Sequence, residues 1–136
     1  MRIIIERTPL PKISSILDVI GLRVIDFDWY ISNFEGFPWP MELNNCWIEG
    51  AALEKLLFDP DLSMSWAVFS AVPAGERPFV AMPPYADGNS ELWSTNSPSV
   101  QLTGAVFECV IWDASALVLT GLSASQVEIL GQKFLE

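Results

Sequence analysis

Isoleucines at positions 3, 4 and 5 open the chain as a short apolar run between Arg2 and Glu6. Thr8-Pro9-Leu10-Pro11 ends it, because proline has no N–H to give a strand ladder. The period then changes. Ile13, Ile16, Leu17 and Ile20 fall at i, i+3, i+4 and i+7, with Pro11 where a first helical turn tolerates it and Gly21 just past the end. This spacing predicts a core-facing helix over 13–20. Over 24–32 the pattern becomes alternating, with Phe27, Trp29 and Ile31 on one side and Asp26, Asp28, Tyr30 and Ser32 on the other, which predicts a half-exposed strand.

The stretch Asn33-Phe34-Glu35-Gly36-Phe37-Pro38-Trp39-Pro40-Met41 is aromatic but holds a glycine and two prolines, so it fits neither a helix nor a central strand and reads as an ordered loop. Its aromatics either fold back over the core or, beside acids, form a protein-binding surface. A strand over 42–48 follows. A short helix over 50–58 comes next, carrying Leu53, Leu56 and Leu57 and stopped by Asp59-Pro60-Asp61. Residues 65–72 are apolar on both faces and strand-like, and 79–82 form a shorter candidate strand. From Pro83 to Pro98, Pro-Pro, Asp-Gly and scattered Ser and Asn predict a surface excursion with Leu92 and Trp93 as inward anchors.

The last thirty residues carry the clearest pattern. Residues 106–112 are apolar on both faces except at Glu108, as a strand in the middle of a covered sheet is. Asp113-Ala114-Ser115 predicts a tight reversal, since Asp and Ser bond their own backbone, and 116–120 resumes the apolar run to complete a hairpin. After Gly121, Ser123 and Gln126 match a capping box ahead of Val127, Leu130 and Phe134 on one helical face. These elements together predict an α+β fold: one domain over 1–136, a mixed or antiparallel sheet with helices packed on it, and a C-terminal hairpin followed by a capped helix.

Composition narrows the function classes. A chain of 136 residues is long enough to bury a core without a disulfide or metal staple. Cys46 and Cys109 lack the close spacing of a redox or metal pair and read as reduced, small apolar groups. The apolar run at 3–5 is too short for a signal peptide, and no long uncharged span occurs, so the expectation is a soluble cytoplasmic protein. Seventeen acids oppose seven bases for a net charge of −10. Six of the acids lie between Arg23 and Lys55 with no base among them. Such a field repels nucleic acid and anionic membrane and attracts basic partners, and it also keeps a chain that is 51 % hydrophobic from associating.

The candidate chemistry is thin. There is no histidine, which excludes Ser-His-Asp and Cys-His mechanisms, and no Gly-rich phosphate loop or cysteine cluster is present. Asp26 and Asp28 resemble the carboxylate pair by which some glycosyltransferases hold a metal and a nucleotide sugar, but an Asp-x-Asp triplet is very common. Asp28 and Glu108, if they met across neighbouring strands, would supply an acid–base pair. No cofactor, metal or catalytic residue is assigned.

The segment Phe107-Glu108-Cys109-Val110-Ile111-Trp112-Asp113-Ala114-Ser115, then an apolar strand and a helix ending in Lys133-Phe134, resembles the C-terminus of small immunity proteins of bacterial polymorphic-toxin systems, over about a quarter of the chain. The resemblance implies a cytoplasmic α+β protein that binds and blocks a protein toxin, and no binding residue carries over from it. An acidic secretion chaperone is the second reading, although chaperones of that kind open with a helix and dimerise. A carboxylate-dependent enzyme is the third. For the first reading the residues expected to meet a basic toxin are Asp26, Asp28 and Glu35 as steering charges, with Phe37 and Trp39 as anchors.

Overall fold

The computed structural model describes residues 1–135. Six strands form one sheet: β1 (Ile3–Ile5), β2 (Phe27–Phe37), β3 (Cys46–Glu49), β4 (Ser63–Pro73), β5 (Phe107–Trp112) and β6 (Ala116–Thr120). They lie in the order β1-β6-β5-β4-β2-β3, every neighbour antiparallel. Three helices, α1 (Ile13–Val19), α2 (Gly50–Leu57) and α3 (Ala124–Phe134), complete an α+β architecture.

The helices pack on one face of the sheet. Ile13, Ile16 and Leu17 of α1, Leu53 of α2, and Leu130 and Phe134 of α3 are buried against alternate strand residues, among them Ile5, Trp29, Phe69, Phe107 and Leu119. At the centre, Phe27, Trp29 and Phe107 meet edge to face with ring centroids 5.2–5.9 Å apart. The indole Nε1 of Trp29 donates to the Val24 carbonyl at 2.9 Å, so its one polar atom is satisfied inside the core. The capping box before α3 forms as its sequence requires: the Gln126 N–H donates to Ser123 Oγ and the Ser123 N–H to Gln126 Oε1. In the β5–β6 hairpin, Asp113 and Ala114 have φ of 47° and 55°, the left-handed pair whose twist matches the flanking strands.

The opposite face of the sheet is covered too, which the alternating pattern of β2 does not predict. Asp28, Tyr30 and Ser32 are buried rather than half-exposed. Residues 74–106 lie across them, with Ala86, Leu92 and Leu102 buried against Val68, Val72, Val110, Val118 and Tyr30. The 83–98 stretch is therefore a lid on the sheet and not a surface excursion. Leu92 is an inward anchor as expected, whereas Trp93 is 37 % exposed and meets Trp112 edge to face at 5.6 Å.

Several boundaries also move. Residues 24–26 form a single 3₁₀ turn before β2, residues 79–82 form no strand, and β3 spans only Cys46–Glu49. The expected loop over 33–41 is strand as far as Phe37. A bulge between Ser32 and Glu35 absorbs its irregular sequence, with Asn33 at φ 50°, a conformation Asn tolerates.

Gly50 shows why α2 starts where it does. A Cβ there would run into the carbonyl oxygens of Val24 and Phe27 and the Cα of Ile25. Gly50→Ala would gain about 1 kcal/mol of helix propensity at most, but forcing backbone apart costs about 1–3 kcal/mol. The expected net is a loss of stability on urea denaturation, and a stabilised Gly50→Ala protein would contradict the packing of α2 on the 3₁₀ turn.

Candidate partner-binding surface

β2 carries most of the residues expected to bind, but it distributes them differently from the sequence reading. Asp26 is exposed and turned back on its own turn, where its Oδ2 accepts from the Arg23 N–H at 3.0 Å. Asp28 is only 8 % exposed, so it is not a surface steering charge. Its Oδ2 accepts from Arg77 Nε at 2.8 Å and from the Gly75 N–H at 3.2 Å. The hydrogen bond from Arg77 is the main reason its carboxyl is held below the usual range; burial opposes it, and the Gly75 N–H adds to the lowering. Arg77 also lies over the Trp47 ring, 5.7 Å from its centroid. Asp26 and Asp28 thus have separate partners and do not converge. Among the described residues, no three Cys, Asp or Glu side chains come together as a metal site.

The other end of β2 is different. Glu35 and Phe37 are exposed, Phe37 by 78 %, and they lie about 30 Å from Asp26 at the rise of an extended strand. Trp39 is half-buried: it stacks on Phe34 at 4.2 Å, meets Phe69 edge to face, and donates Nε1–H to the Leu43 carbonyl at 2.9 Å. The aromatic stretch is therefore divided between core and solvent. Phe34 and Trp39 close the core, while Phe37 and the 92 % exposed Met41 face solvent.

Beside Phe37 lies a hollow of about 420 Å³ lined by Phe37, Pro38, Trp39, Pro40, Leu56 and Asp59 together with Lys55. Phe58, at the end of α2, is 82 % exposed and lines a different hollow, the one between α1 and α2. Two exposed carboxylates flank the hollow beside Phe37, Asp59 in its lining and Glu35 two residues before Phe37. Met41, Phe58 and Asp59 were not among the expected binding residues. Phe58 had a readable signal, since it falls off the Leu53/Leu57 face of its helix. Asp59 had none, because its place beside Phe37 depends on β4 returning along β2, where Phe37 pairs with Ser63.

Glu108 is the other buried carboxylate, at 1 % exposure on the lid side of β5. Its Oε2 accepts from Ser70 Oγ at 2.7 Å and from the Leu102 N–H at 3.0 Å, and its Oε1 from the Gln101 N–H at 2.6 Å. Burial raises its pKa, and these three donors only partly counter the rise. It does not meet Asp28: β4 runs between their strands, placing Ser70 opposite Glu108 and Val72 opposite Asp28. Both cysteines are free thiols, and burial pushes that of Cys109 far up.

The two buried carboxylates bend stability in opposite directions with pH. Asp28, lowered from 3.8, adds stability above that value and loses it as pH falls through its folded pKa. Glu108, raised from 4.5, holds its proton in the fold after the unfolded chain has released it. Stability therefore falls as pH rises from 4.5 through the folded pKa of Glu108. Denaturation midpoints across this range are expected to show that decline in the parent and not in Glu108→Gln. An equal decline in both would assign it to another group.

No family model matches the chain, and neither a curated protein nor a solved structure matches it.

Proposed function

We propose that this chain is an immunity protein, which binds a cognate bacterial toxin of basic character and neutralises it by occlusion, without catalysis. The observation that carries this reading is the end of the molecule where Phe37 and Met41 stand exposed on either side of Trp39, with the exposed carboxylates Glu35 and Asp59 beside Phe37. Large apolar side chains held on a rigid sheet end supply buried contact area, and carboxylates around them speed encounter with a cationic partner. A chain with a net charge of −10 adds long-range attraction to the same effect.

A further feature favours binding over chemistry. Asp28 is held by Arg77 and Gly75, and Glu108 by Ser70, Gln101 and Leu102, so both buried carboxylates serve to fasten the lid. No described helix is long and apolar enough to cross a membrane.

The test is co-expression with the product of the adjacent gene, followed by co-purification and a growth assay. A stable complex and relief of toxicity are expected. A harmless partner that needs this chain only for export would support the chaperone reading instead.

A further inference from the structure

The chain's seven bases are unevenly employed. Arg2 donates to the Leu92 and Ser94 carbonyls, Arg7 lies over the Phe134 ring, Arg77 pairs with Asp28, and Lys133 sits in the last turn of α3. The remaining three, Lys12, Arg23 and Lys55, line two adjoining hollows between α1 and α2. The larger, about 590 Å³, is bounded by Lys12, Lys55, Leu57 and Phe58, and the smaller, about 310 Å³, by Asp18, Leu22 and Arg23. Ser14, Ser15, Val24 and Glu54 line both. Among the described residues, none of the three bases is within ion-pair distance of a carboxylate, and neither serine hydroxyl makes a hydrogen bond.

In a chain this acidic, three unpaired cations around one groove are a local reversal of the field, and the groove's volume falls in the range of small-molecule sites. We propose that the groove between α1 and α2 binds a nucleoside phosphate. Lys12 and Lys55, with the Ser14 and Ser15 hydroxyls as donors, take the phosphate. The exposed ring of Phe58 and the side chain of Leu57 take the flat base. Glu54 is the one carboxylate lining both hollows and would repel a bare anion. It becomes a partner if the base presents N–H donors, as guanine does to an acidic side chain. Asp18 lines the smaller hollow together with Arg23 and offsets its charge there, which limits the ligand to one phosphorylated end. A polynucleotide would meet the overall negative field, whereas a mononucleotide is short enough to meet only the local one.

The test is titration of the intact protein with GMP, guanosine, ribose 5-phosphate and inorganic phosphate, read by calorimetry and by backbone amide shifts. GMP is expected to bind saturably, with a dissociation constant of about 1 mM or tighter. Its shifts should centre on Ser14, Ser15, Lys55 and Phe58, with each fragment binding more weakly than GMP. Lys12→Gln with Lys55→Gln, both at exposed positions, is expected to weaken GMP about tenfold or more while the denaturation midpoint stays in place. Absence of saturable GMP binding overturns the proposal, as does equal binding by the double variant. Inorganic phosphate or ribose 5-phosphate binding as tightly as GMP would remove the base from it.

Discussion

Replacing Glu108 with alanine is expected to cost about 3–5 kcal/mol of stability, because it strands three donors in a site sealed from water. The Gln101 and Leu102 N–H groups belong to the lid backbone and cannot rotate away, whereas the Ser70 hydroxyl is free to turn about its own bond. Two fixed N–H groups at about 1–3 kcal/mol each carry most of the loss. Removing the buried carboxyl group recovers part of its desolvation cost, which is why the total stays below the sum of every term. For a chain of this length the change corresponds to a fall of about 10–20 °C in Tm. Glu108→Gln should cost less: its amide oxygen still accepts from one lid N–H, while its NH₂ faces the other. Amide hydrogen exchange supplies the structural half of the test. Gln101 and Leu102 should lose protection in Glu108→Ala before the helix-side core does. A midpoint within about 1 kcal/mol of the parent would mean that apolar contacts at Leu92 and Leu102 hold the lid without the carboxylate.

The same residue shows where sequence reading stops. The apolar run 106–112 is legible as a covered central strand because its residues are apolar on both faces, but Glu108 reads only as the exception in that run and as a candidate partner of Asp28, not as a buried acceptor. What satisfies it is not legible, since the Gln101 and Leu102 donors lie in a segment with no periodicity. Asp28 failed for a related reason. Alternation in β2 reports which side chains share a face, and it cannot say whether that face meets water or an irregular lid whose Arg77 comes from far along the chain. The helices were readable because their apolar spacing, capping residues and glycine stops are local: Gly21, just past α1, has φ 75°. In the candidate surface, Phe37 and Trp39 were legible as aromatic and as adjacent. Their division into one exposed and one core-closing ring follows from Trp39 meeting Phe34 and Phe69, a contact set by the bulge after Ser32.

That division makes the binding reading testable by two substitutions two residues apart. Phe37→Ala is expected to leave stability nearly unchanged, since the side chain is 78 % exposed and its loss opens no cavity. Against a toxin that covers this end of the sheet it should cost about 2 kcal/mol or more, roughly thirtyfold in affinity, and the loss should appear as faster dissociation. Trp39→Ala should do the reverse. It removes the stack on Phe34, the contact with Phe69 and the hydrogen bond to Leu43, so it is expected to destabilise the fold by about 3 kcal/mol. The rim is the third arm. Glu35→Gln and Asp59→Asn should slow association at low salt and lose that effect as salt screens charges beyond about 8 Å, with dissociation unaltered. Asp28→Asn, in contrast, should act on the lid and not on encounter, because Asp28 is occupied by Arg77. These rates can be measured by surface plasmon resonance against the adjacent gene's product at two salt concentrations. If Phe37→Ala dissociates like the parent and association ignores both salt and the rim acids, the toxin is met on another face, and the exposed Phe79, Met82 and Tyr85 of the lid become the next surface to truncate.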